Sequence, residues 1–348
     1  MPAENFDPNM PGLQGNNIFG LPFKEEDAEL IIIPVPWEVT ISYRGGTGRG
    51  PEQIFEASAQ IDLYDADYPQ NWKKGYYMLP IDKTIQNKSD YLRSCAELVI
   101  GSIIEGDDPD NNEQLKSKLD EINEGGDYLA EWLYATADNY LKQGKKVAVI
   151  GGEHSCPLGY IKALAKYHPE FGVLQIDAHA DLRKAYEGFT YSHASIMYNI
   201  LEEVPEVNKL VQVGIRDYCD EENDYIVKHP KRIKTFFDKD IKEAIYNGKN
   251  WNQIVHDIID TLPKFIYVSF DIDGLDPKLC PNTGTPVPGG FELEQIFYLF
   301  KKIEQAGKTI IGFDINEVSC GSHAEDCIDP IVGARALYKL CNILVNKS

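Results

Sequence analysis

Short runs of aliphatic and β-branched residues recur along this chain, most of them followed by a stretch with helical spacing. They are Leu30–Val35, Val147–Ile150, Val173–Asp177, Leu210–Gly214, Phe265–Phe270 and Thr309–Asp314. Few of their positions alternate apolar with polar, so each run predicts a strand covered on both faces. Helical spacing spans Leu115–Leu141, Pro157–His168, Leu293–Glu304 and Ile331–Val345; a further helix starts near His193, and one opens at Pro51. Strands alternating with helices predict an α/β fold, a three-layer αβα sandwich around a mostly parallel central sheet. No linker, composition shift or internal repeat divides the 348 residues. Residues 29–348 therefore read as one domain, and residues 1–28, rich in Pro, Asn, Gly and acids, as an N-terminal arm.

Charge narrows the function. The chain carries 34 Lys and Arg against 55 Asp and Glu, a formal net charge of −21. Such a balance argues against nucleic acid and anionic membrane surfaces as partners and is compatible with a cationic substrate. No apolar run reaches the roughly 18 residues of a membrane span. The N-terminus lacks the basic and apolar regions of a signal peptide. The seven cysteines form no CxxC pair and read as reduced thiols of a cytoplasmic protein, not as a disulfide framework. Cys320, His323 and Cys327 lack the fourth ligand of a zinc knot. The Gly-rich segment 44–51 matches no phosphate-binding pattern and reads as a turn into a helix. The acidic stretch 107–113 lacks EF-hand spacing and reads as a solvated tip.

Three of the strands end in groups that bind metals. Val147–Ile150 runs into Gly151-Gly152-Glu153-His154, Val173–Ile176 into Asp177-Ala178-His179-Ala180-Asp181, and Phe265–Phe270 into Asp271-Ile272-Asp273. Open α/β sheets bind ligands beyond the carboxyl ends of their strands, so these six His and Asp side chains are expected at one sheet edge. Asp177, His179 and Asp181 alternate in an extended chain and can share a side, as can Asp271 and Asp273. Four carboxylates held together need compensating positive charge, which a pair of divalent cations supplies. Carboxylate and imidazole donors without thiolate favour Mn²⁺, with Ni²⁺ and Co²⁺ as alternatives.

These motifs resemble those of the ureohydrolases, the arginase and agmatinase family. The resemblance rests on GGEHS (151–155), DAHAD (177–181), YSHAS (191–195) and SFDIDGLDP (269–277), with TGTPVPGG (283–290), DINEV (314–318) and the early ISYR (41–44) in support. Glu153 stands where the family has Asp, Asn282 where it has Gly, and residues 320–329 follow none of its patterns. The resemblance implies an arginase-like fold and a homo-oligomer, a trimer or hexamer. It also implies that His154, Asp177, Asp181 and Asp271 or Asp273 are shared between two Mn²⁺ sites, with His179 completing the second. By the same likeness His193 shuttles protons and Glu317 receives the guanidinium.

Chemistry supports that likeness. Two metals can hold a bridging water as hydroxide near neutral pH, with Asp181 placed to orient it. His193, in the ordinary histidine range, is suited to protonate the leaving amine. Arg183 takes the place where arginases carry an Asn for the α-groups of arginine, which weakens arginine as the substrate. The expected reaction is therefore hydrolysis of agmatine to urea and putrescine. Free guanidine or another guanidino compound is the alternative. A zinc-type amide deacetylase would have fewer carboxylates, and a non-catalytic homologue would have lost His154 or Asp271.

Overall fold

Every residue of the first strand, Leu30–Pro34, is buried, as a strand covered on both faces requires. The structure is a computed structural model and describes residues 6–10, 12, 16–106, 108–321 and 327–346. In chain order the elements are β1 (Leu30–Pro34), α1 (Gly50–Ser58), β2 (Tyr76–Met78), α2 (Lys83–Ile104), α3 (Glu113–Lys142) and β3 (Lys146–Ile150). Then come α4 (Leu158–Ala165), β4 (Phe171–Ile176), α5 (Ile196–Glu203), β5 (Val207–Val213), α6 (Asp220–Lys228) and β6 (Ile233–Phe236). The chain ends with α7 (Asp238–Tyr246), α8 (Trp251–Thr261), β7 (Phe265–Asp271), α9 (Leu293–Gln305), β8 (Thr309–Asn316) and α10 (Asp329–Asn346).

Alternation along the strands makes two cores. Leu30 and Ile32 pack with Ile54, Val255, Leu299 and Leu337, so α1, α8, α9 and α10 cover one face. Ile31 and Ile33 pack with Leu92, Leu133, Tyr160 and Ile200, so α2 to α5 cover the other. This is the expected αβα sandwich. Among the described residues the sheet has eight strands in the order β2-β1-β3-β8-β7-β4-β5-β6, and every neighbouring pair is parallel. Pro51 stands in the first turn of α1, where its missing N–H is harmless. From the N-terminal arm, Ile18, Phe19 and Leu21 enter the first core, and Phe19 meets the ring of Tyr338 edge-on at 4.9 Å.

The topology fixes where a ligand can sit. The chain passes from β3 to β4, builds the edge through β5 and β6, and returns to fill the gap with β7 and β8. The carboxyl ends of β3, β8, β7 and β4 therefore flank the switch in strand order, where open α/β sheets bind ligands.

Two features differ from expectation. β2 and β6, the edge strands, are short and partly exposed, and the spacing of their residues does not mark them. Cys320 and Cys327 are disulfide-bonded, with Cα atoms 5.4 Å apart, so not all seven cysteines are thiols. Cys320 follows β8 and Cys327 precedes α10, and no CxxC spacing announces their pairing. His323 lies outside the described residues. No helix among the described residues is long and apolar enough to cross a membrane.

Candidate metal centre

The motif after β3 bends because Gly152 lets it. A Cβ there would lie 2.0 Å from the carbonyl oxygen of Trp37, so only glycine fits. His154 then turns back over the sheet, nearly fully buried. Its Nε2 lies 2.8 Å from Ser269 Oγ, which donates to Asp314 Oδ1 at 3.0 Å. With Nε2–H donating along that line, Nδ1 would offer its lone pair to a cation; without one, the carboxylates outweigh burial and raise His154 well above the histidine range. Nδ1 faces three carboxylate oxygens: Asp177 Oδ2 at 3.0 Å, Asp181 Oδ2 at 3.0 Å and Asp271 Oδ2 at 3.2 Å.

A second group lies alongside. His179 Nδ1 is 3.0 Å from Asp273 Oδ2 and 3.6 Å from Asp177 Oδ1. Asp177 thus belongs to both groups. Hydrogen bonds set each carboxylate's direction. Gln175 Nε2 donates to Asp177 Oδ2 at 2.8 Å, and the Ala178 N–H donates to Asp273 Oδ1 at 3.0 Å. The Asp273 N–H donates to Asp271 Oδ1 at 2.8 Å.

Without a cation the cluster leaves buried polar atoms unpaired and carboxylates crowded. Buried His154 Nδ1 and Asp273 Oδ2 have no hydrogen-bond partner. Burial, with Asp177 nearby, pushes Asp181 up to about 7, and burial with Asp273 and Asp177 raises Asp271 well above the carboxylate range. A divalent cation answers both problems. The 3.0–3.2 Å separations around His154 Nδ1 suit donors that would share one cation. The donor set fits two cations that share Asp177.

Glu317 follows β8, and its Oε1 accepts the His154 N–H at 2.8 Å. It is not among the residues that line the cleft beside the metal groups, and 5% of its surface is exposed. Burial, then Glu153, raises its pKa well above the usual range. A guanidinium beside it would restore the charged form. Asp181 (φ 53°) and Glu317 (φ 63°) both occupy the left-handed region, a strain that side chains other than glycine seldom accept.

The cleft has a volume near 160 Å³ and is lined by His179, Asp181, Arg183, Tyr186, His193 and Asp217, among others. Arg183 lies over the Tyr186 ring at 4.8 Å, with its Nε 3.8 Å from Glu222. Burial, then His179 and His154, lowers the His193 pKa to about 3, not the ordinary histidine range. His193 is therefore neutral at rest and must first take up any proton it delivers. Sequence reasoning gave no role to Gln175, Ser269 or Asp314. Their signal was polarity inside otherwise apolar strands, where a side chain needs a partner.

A model of the "Arginase family" matches residues 28–341. The chain belongs to the arginase family. Among relatives, the family member named N(1)-aminopropylagmatine ureohydrolase from Synechocystis is 30% identical over 295 residues, covering 84% of this chain and 82% of that protein. The agmatinase of Klebsiella pneumoniae is 28% identical over 296 residues, covering 85% and 81%. The agmatine ureohydrolase structure from Thermoplasma volcanium superposes with a TM-score of 0.67 at 20% identity, over 92% of each chain. Arginase-family membership makes this protein a hydrolase of amidine C–N bonds.

Proposed function

We propose that the protein hydrolyses a small cationic guanidino compound to urea and an amine, using two divalent cations. Mn²⁺ is the first choice, with Ni²⁺ or Co²⁺ as alternatives. The observation that carries this reading is the convergence on His154 Nδ1 of three carboxylate oxygens, beside a second group that shares Asp177. His154, Asp177, Asp181 and Asp271 would hold one cation; Asp177, His179 and Asp273 would hold the other. Bound there, the cations would keep the carboxylates ionised and lower the pKa of a shared water.

The chain's own residues do the rest. Asp181, at the floor of the cleft, orients the attacking water. Glu317 holds the guanidinium by a charge-assisted hydrogen bond, with Oε2 left uncommitted by the His154 N–H. His193 takes a proton and passes it to the departing nitrogen. The water oxygen bonds to the guanidinium carbon, one C–N bond breaks, and both water hydrogens end on the leaving amine.

Agmatine, giving putrescine, is the substrate we place first, since Asp217 in the cleft offers a carboxylate to a distal ammonium. N(1)-aminopropylagmatine is the longer relative of that choice. Arg183 favours a second reading, a guanidino acid whose carboxylate it would bind, and the small cleft also admits free guanidine. With this reading go a homo-oligomer, a trimer or hexamer, and a cytoplasmic location. The test is urea release from agmatine, N(1)-aminopropylagmatine, arginine, 4-guanidinobutyrate and guanidine by protein loaded with Mn²⁺ and then Ni²⁺. At least one should yield urea and its amine in equal amounts (ammonium in the case of guanidine). Acetate from an acetylated amine, with no urea from any compound, would replace the proposal with a deacetylase.

A further inference from the structure

Thr40 lies in the loop between β1 and α1, far from His193 in sequence, yet the two meet twice. The His193 N–H donates to Thr40 Oγ1 at 3.0 Å, and the same oxygen lies 3.2 Å from His193 Nδ1. Thr40 is 2% exposed, so water does not compete for these contacts. It is also held from behind. Its N–H donates to Oε2 of the fully buried Glu153 at 2.8 Å, which sets the Thr40 side chain beside that carboxyl. The other Glu153 oxygen accepts the Ser155 hydroxyl at 2.8 Å. The Tyr186 ring stands edge-on to the imidazole, 6.2 Å away, and lines the cleft beside it.

A hydroxyl has one proton and two lone pairs. With its proton directed at Glu153, the Thr40 hydroxyl would turn both lone pairs to His193. One takes the backbone N–H; the other would then take Nδ1–H, at the 3.2 Å contact. This selects the neutral tautomer that carries its proton on Nδ1 and leaves the Nε2 lone pair for the cleft. When Nε2 gains a proton, Nδ1–H keeps the same partner. When Nε2 gives the proton up, nothing around the ring has to move. A methyl group in place of the hydroxyl would orphan Nδ1 and favour no tautomer.

We propose that Thr40 is the positioning residue for His193: its Oγ1 holds the imidazole in the Nδ1–H tautomer, so that Nε2 can take a proton and pass it to the departing amine. This rests on the ureohydrolase reading above. No bond of Thr40 forms or breaks, and its own proton stays on its oxygen.

Thr40→Val keeps the shape and removes the hydroxyl, whereas Thr40→Ser keeps the hydroxyl. Each is made alone and with His193→Asn, then assayed for kcat, KM, bound metal and Tm. Thr40→Val is expected to retain two cations per chain and a KM within about threefold, and to lose about 10- to 100-fold in kcat, part of the usual worth of a positioned acid–base group. Thr40→Ser should recover most of that loss. In the His193→Asn background, Thr40→Val should change kcat by less than about twofold. Wild-type kcat in Thr40→Val, or an equal loss in both backgrounds, would overturn the proposal. A readout independent of turnover is the ¹⁵N spectrum of the His193 ring in Zn²⁺-loaded protein, assigned by its absence in His193→Asn. It should show Nδ1 protonated in the wild type and lose that preference in Thr40→Val. If the wild type released no urea from any guanidino compound, the ureohydrolase reading alone would fall, and the ¹⁵N spectrum would still decide the role of Thr40.

Discussion

Asp181 and Glu317 are both buried and held in left-handed backbone, each at a cost of about 1–3 kcal/mol. The fold tolerates this where the strained turn aims a carboxylate. For Glu317 the aim can be tested by charge alone. Glu317→Gln keeps the size and one acceptor, so bound metal should survive while kcat/KM falls by at least ~10²-fold, the scale of a lost charge-assisted bond. Steady-state kinetics with a metal assay decide it, and near-normal kcat/KM would take Glu317 out of substrate binding. His193→Asn should also retain both cations, with kcat lowered about 10²- to 10⁴-fold. Loss of metal there would make His193 a ligand or a structural residue instead.

Between elements, the site depends on how closely β4 and β7 end beside one another. A Cβ on Gly274 would lie 2.7 Å from the Asp177 backbone nitrogen and 2.9 Å from the Ile176 carbonyl carbon. Gly274→Ala must therefore part the turn carrying Asp273 from the end of β4. We expect a stability loss of about 1–3 kcal/mol in urea unfolding and weaker metal binding in the same protein. Unchanged affinity would show that the two strand ends do not need this contact. The central strands were legible in the sequence because burial on both faces leaves continuous apolar runs, and the His and Asp clusters stand directly after them. The edge strands were not, since half-exposed side chains in β6 and a crowd of aromatics around β2 erase the period. Nor could spacing reveal the Cys320–Cys327 pair, the strained backbone of Asp181, or the meeting of Thr40 with His193. The last of these depends on how loops from distant strands fold over one edge.

For the molecule as a whole, the site is a store of buried charge that needs cations to balance it. In chelated protein, burial pushes Asp181 and Glu153 up to about 7 and raises Asp271 and Glu317 as well. An acid whose folded pKa is raised favours the fold below its unfolded pKa, and that contribution is lost as pH rises through the folded value. Asp177 runs the other way: burial alone would raise it, but His154 and His179 outweigh burial and lower it. Its contribution is complete above the ordinary carboxylate range and does not offset the loss. The Tm of chelated protein should therefore fall between about pH 5 and pH 8, while metal-loaded protein should vary much less. A level Tm without metal would mean that the carboxylates are not crowded as described. The measurement that tests the central claim most directly is a Mn²⁺ titration of chelated protein, with bound metal and urea release followed together. Binding should saturate at two cations per chain, activity should reach its plateau with the second, and Asp177→Ala should reach neither. Full urea release from metal-free protein, or none from any guanidino compound at two bound cations, would contradict the account.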